Sequence, residues 1–197
     1  MKLYGTTTSP FVRRVRVVAA EVGLKLELVD TAPAEGQAAL REISPIRKVP
    51  VAVVDGITLF DSRVIIDWIT ANVGFGKLAG LREPFREANL VNAIDAAIEA
   101  AIQLFYLRRD GVAIDGTPYA MRQMERADAI FTWLGTQLTA DGRGFGDGLG
   151  LPEITLVCAL DWMEFRTAYP TERAAAVASV RAAWADHASL AATRPHA

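Results

Sequence analysis

A proline stands at the head of a strand-like run: Val49-Pro50-Val51-Ala52-Val53-Val54, then Asp55-Gly56, then Ile57-Thr58-Leu59-Phe60. Two apolar, largely β-branched runs around Asp-Gly read as a β-hairpin, because Asp-Gly supplies the backbone conformation that a two-residue turn needs. Pro50 cannot donate to a ladder, and an X-Pro bond is the only peptide that turns cis at small cost. A cis bond would turn the amide and carbonyl of Val49 outward, ready to pair with an extended peptide. The other reading is a trans proline beginning an edge strand. The dipeptide alone favours trans; its place between a βαβ unit and a hairpin favours cis.

That βαβ unit is legible upstream. Lys2 to Gly5 is a short strand, and Ser9-Pro10 opens a helix with an oxygen-bearing cap and proline in first position. Phe11, Val12, Val15, Val18, Ala19 and Val22 recur at helical spacing until Gly23. Leu24 to Val29 alternates as a second strand, and a helix near Glu35 to Glu42 ends at Ser44-Pro45. After the hairpin, Asp61-Ser62 caps an apolar helix from Val64 to Ala71. The order βαβ, helix, ββα predicts a mixed sheet covered by helices.

Beyond Gly74-Phe75-Gly76 the strand signals vanish. Pro84 to Arg109 carries a broad apolar stripe, Thr117-Pro118 caps a helix to about Gln137, and a glycine-rich stretch runs from Asp141 to Gly150. Ile154-Thr155 opens a very apolar helix through Phe165, with Cys158 where a capping acid would stand, and a last Ala-rich helix spans Glu172 to Ala192. The expected organisation is an α/β domain over 1–74, a linker over 75–83 and an all-α domain over 84–197.

Composition narrows the chemistry. One cysteine, Cys158, excludes an internal disulfide and a CxxC redox pair. Two histidines, His187 and His196, both near the C-terminus, offer no metal-ligand spacing and no Ser-His-Asp triad. A net charge of -2 gives no general attraction to nucleic acid or anionic membrane, although Arg13-Arg14-Val15-Arg16 is a local basic cluster. The N-terminus lacks the apolar core of a signal peptide, and no uninterrupted run approaches a membrane span, so a cytoplasmic protein is expected. The glycines at 142, 144, 146, 148 and 150 are not a phosphate loop, since no Gly-Lys-Ser/Thr follows and no strand precedes them. Trp133, Trp162 and Trp184 fall on apolar helix faces and are expected in the core.

The element order, together with Thr8-Ser9-Pro10-Phe11-Val12-Arg13, Ile46-Arg47-Lys48-Val49-Pro50-Val51 and Phe60-Asp61-Ser62, resembles the soluble glutathione S-transferases. In particular it is similar to bacterial members with a serine-type Ser-Pro-Phe motif. The resemblance implies a thioredoxin-like domain followed by a helical bundle, a homodimer, glutathione as cosubstrate and no metal. It implies conjugation of glutathione to a small hydrophobic electrophile, a detoxification chemistry, with glutathione-dependent peroxidase turnover also allowed. A binding or regulatory protein that kept the fold without useful catalysis is the alternative.

On this resemblance Ser9 holds the position of the catalytic hydroxyl. A Ser9 hydroxyl at a helix N-terminus would give a glutathione thiolate a hydrogen bond and a favourable field together. The same residue is also a plain N-cap, worth about 1 kcal/mol. Tyr4, at the end of the first strand, is the second candidate, since other classes use a tyrosine there. Asp61 and Ser62 correspond to the pair that grips the γ-glutamyl end: a carboxylate for the ammonium, a hydroxyl and amides for the carboxylate. Asp61 is a methylene shorter than the commoner Glu or Gln. Val49 and Pro50 would align the peptide, and Lys48 would meet the glycyl carboxylate. Arg13 is a further anion-contact candidate, against the default of a solvated helix face.

Overall fold

The computed structural model describes residues 1–196, which divide into two compact units, residues 1–80 with 187–196 and residues 81–186. The first unit runs β1 (Lys2–Gly5), α1 (Pro10–Glu21), β2 (Glu27–Asp30), α2 (Ala34–Ile43), β3 (Val51–Val54), β4 (Ile57–Phe60) and α3 (Ser62–Val73). Its sheet has the order β2-β1-β3-β4. β1 pairs parallel with β2, as a helical crossover requires, and antiparallel with β3, which pairs antiparallel with β4 through the Asp55-Gly56 turn. This is a thioredoxin-like fold. The second strand begins at Glu27 rather than Leu24.

The apolar stripe of α1 is buried as its periodicity predicts: Val12, Val15 and Val18 are wholly inaccessible, with Leu3, Val51, Ile65 and Ile69. α1 packs on α3. Gly5 lets β1 and α1 approach, since a Cβ there would stand 2.3 Å from Val12 Cγ2.

The second unit contains α4 (Pro84–Arg109), α5 (Pro118–Gly135), α6 (Leu151–Phe165), a 3-10 helix (Thr171–Val177) and α7 (Ala178–Trp184). α4 is long and apolar enough to cross a membrane by length and composition, which a search for uninterrupted apolar runs overlooks. Its Leu90, Ile94, Ala97, Ile98, Ala101 and Leu104 are buried, and it packs on α5 and α6. That is the burial of a core helix.

Four expectations are corrected. The helix expected over Glu172 to Ala192 is three pieces, because the chain turns away after Trp184 and resumes as α8 (Ala188–Ala192). Residues 187–196 therefore pack with the first unit and not within the helical one. The third helix of the second unit, α6, starts at Leu151, so Thr155 lies inside it and donates to the Leu151 carbonyl. The missing capping acid is Glu153, which accepts the Gly150 amide at 3.0 Å and the Phe145 amide at 2.6 Å and so ties the glycine-rich loop to the helix start. Trp133 is 38% exposed, whereas Trp162 is buried as expected. Finally, Arg13 does not line a solvated face: it is 2% exposed.

Candidate functional site

Strand register brings the sequence candidates to one end of the sheet. Tyr4 pairs with Val51, and Val51 pairs with Phe60. The C-terminal end of β1, the N-terminal end of β3 and the C-terminal end of β4 therefore lie side by side. The segments that extend beyond this row are Thr6 to Ser9, Lys48 to Pro50 and Asp61-Ser62. Half-buried Tyr4 sits within the row itself.

Ser9 is the N-cap of α1, with extended backbone and Pro10 in first position. Its Oγ accepts the Val12 amide at 3.3 Å. A hydroxyl that accepts one such bond keeps its own proton to donate. The free amides of the first turn add a positive field there.

The Val49-Pro50 bond is cis. Pro50 is buried, Val49 half-buried and Lys48 exposed. Asp61 has φ 72°, in the positive-φ region that non-glycine residues seldom enter. Its carboxylate accepts the Arg63 amide at 2.8 Å, so it caps α3 while remaining exposed. Functional positions concentrate such backbone outliers.

Ser62, the first residue of α3, is 1% exposed. Arg14, itself 2% exposed, donates to its Oγ from Nε at 2.9 Å and from Nη2 at 2.6 Å, and the guanidinium lies over the Phe11 ring. Two donated N–H groups occupy both lone pairs of the hydroxyl. Its single proton must then point to another acceptor, and the adjacent positive charge suits that acceptor to be an anion. Sequence reading had Arg14 only as part of the basic cluster Arg13-Arg14-Val15-Arg16 and missed its contact with Ser62. The signal was periodicity: Phe11, Arg14 and Val18 are spaced i, i+3, i+7 and share the apolar face.

Among the described residues no group of three His, Cys, Asp or Glu is placed to hold a metal ion. Cys158, in the second unit, is buried, in keeping with an inert core thiol.

The first unit joins a cis proline, a capping serine at its first helix and an Asp-Ser pair at its third, and the whole chain has the fold of solved glutathione S-transferases. Residues 3–77 match the family model described as glutathione S-transferase, N-terminal domain. Among curated proteins the chain is similar to the GST-like protein YibF of Escherichia coli (strain K12), 29% identical over 175 residues, 86% of this chain and 85% of that relative. A glutathione S-transferase from Methylobacterium radiotolerans, solved in complex with glutathione sulfonate, superposes with TM-score 0.87 at 22% identity, covering 100% of this chain and 95% of that one. One from Methylobacillus flagellatus with glutathione bound gives 0.84 at 24% identity, covering 99% of each.

Proposed function

We propose that this protein is a glutathione transferase that ionises the thiol of bound glutathione beside Ser9 and presents the thiolate to a small hydrophobic electrophile. The observation that carries the reading is the buried Ser62 hydroxyl, held by two Arg14 N–H groups so that its proton is offered to an anion. In this reading that anion is the α-carboxylate of the γ-glutamyl group, with the amides at the start of α3 beside it and the Asp61 carboxylate facing the ammonium. The peptide runs extended along Val49 and Pro50, and exposed Lys48 meets the glycyl carboxylate. The sulfur then lies by Ser9, whose proton and helix terminus stabilise the thiolate. Attack forms a carbon–sulfur bond while the leaving group departs or a strained ring opens; with a peroxide the thiolate would break the O–O bond, releasing an alcohol and leaving a glutathione sulfenate that a second glutathione converts to the disulfide and water.

The relatives crystallised with glutathione or its sulfonate support the ligand. A reducing compartment suits a thiol cosubstrate and a lone cysteine, and we assign the protein to the cytoplasm as a homodimer. One observation favours a second reading, a glutathione-binding protein without useful catalysis: the Ser9 oxygen is already engaged as a helix cap.

Isothermal titration of reduced glutathione tests the reading. Binding with Kd at or below about 1 mM, a free energy of about -4 kcal/mol, is expected, and it is lost in Asp61→Ala/Ser62→Ala. No detectable heat with the intact protein overturns both readings; unchanged affinity in the double variant removes the assigned site.

A further inference from the structure

The C-terminal segment is fastened to both ends of one stripe of α1. Arg13, Val17 and Glu21 are spaced i, i+4, i+8 and share a face distinct from the core stripe. Arg13 donates from Nη2 to the Leu190 carbonyl at 2.9 Å and from Nε to Thr193 Oγ1 at 3.3 Å. Two turns on, the buried Glu21 carboxylate meets His187 Nε2 at 2.9 Å. Val17, between them, is wholly buried, and Leu190 is 1% exposed. α8 packs on α1. Two opposite charges on one helix thus both serve a segment about 170 residues away in sequence.

We propose that residues 187–196 form a latch on the glutathione-binding unit, such that docking of the latch on α1 and occupancy of the glutathione site stabilise each other. The proposal rests on the reading of that site given above. The attachment suits reversible docking. A five-residue helix has no stability of its own away from its docking face.

The coupling path is α1 itself. Arg13 is gripped by the latch and Arg14, the next residue, by Ser62. Successive residues of a helix project about 100° apart, so a single rotation of α1 satisfies both guanidinium groups. A carboxylate bound at Ser62 would draw Arg14 toward that rotation and favour the docked latch. Reciprocity of binding free energies requires the docked latch to favour glutathione equally.

Hydrogen exchange of the full chain, followed by mass spectrometry with and without saturating reduced glutathione, tests this. Peptides from 187–196, where the Ala191 amide donates to the His187 carbonyl, should exchange faster than those of α4 and slow about fivefold with glutathione. Exchange of α4 reports global opening and separates the latch from general stabilisation. Leu190→Ala/Thr193→Val should raise the glutathione Kd by a comparable factor. His187→Ala, a milder change that removes the pairing with Glu21, should shift it in the same direction. Latch exchange that ignores glutathione, in a chain that binds it, overturns the coupling alone, as does an unchanged Kd in both variants. A chain that binds no glutathione overturns the functional reading and the latch with it.

Discussion

At the scale of single residues, the site depends on hydroxyl protons and where they are sent. Ser62 has both lone pairs occupied by Arg14, so its proton is left for another acceptor. Ser9 Oγ accepts the Val12 amide at 3.3 Å, which in the proposed function leaves its proton to donate to the ligand sulfur. Ser9→Ala should therefore leave glutathione affinity nearly intact and lower kcat at least about tenfold, the loss of one stabilising hydrogen bond of about 1.4 kcal/mol to the thiolate. Steady-state kinetics with a chlorinated nitroaromatic acceptor would measure it. Equal turnover in the variant would leave Ser9 as a helix cap and move attention to Tyr4. Ser9 was legible because a cap has a sequence signature. Arg14 was hidden because a charged residue on an apolar face is read by default as exposed.

At the scale of elements, the start of α6 depends on one acid. Glu153 accepts two amides from the glycine-rich loop, and a Cβ at Gly144 would stand 2.6 Å from its Oε1. Burial pushes its carboxyl pKa up, the Phe145 and Gly150 amides pull it down in part, and Glu87 adds to the rise. An acid with a raised folded-state pKa binds its proton more tightly in the fold than in the unfolded chain. Its contribution to stability is therefore fullest below the ordinary carboxylate range and declines as pH rises through the raised value. Urea unfolding of the wild type and Glu153→Gln should show the wild type losing stability relative to the variant as pH rises above the ordinary carboxylate range. A constant difference as pH rises would contradict the assignment. The sequence pattern missed this cap by starting the helix at Ile154; Pro152-Glu153 in the first turn was the available signal.

At the scale of the whole molecule, each unit leaves large apolar side chains in water. Ile57 and Val64 are about half exposed in the first, and Phe85 is 91% exposed in the second. These side chains are candidate contacts for the proposed homodimer. Light scattering at micromolar concentration is expected to give twice the chain mass, and Phe85→Asp should shift the equilibrium toward monomer. A monomeric wild type would remove the homodimer from the proposal.

The local elements were determined by sequence alone. Strand and helix periodicity, the Asp55-Gly56 turn and the caps at Ser9, Asp61 and Thr117 are short-range signals that the elements of residues 2–135 follow closely, whereas the start of α6 and the breaks between Glu172 and Ala192 escaped them. Near-neighbour sterics and capping hydrogen bonds need nothing from the rest of the chain. Tertiary structure decided the partners of charges: Arg14 on Ser62, Arg13 on Leu190 and Thr193, Glu21 with His187. It also decided that the last ten described residues join the first unit. A buried charge must find its acceptor wherever the fold supplies one, and no periodicity marks a partner lying far away along the chain.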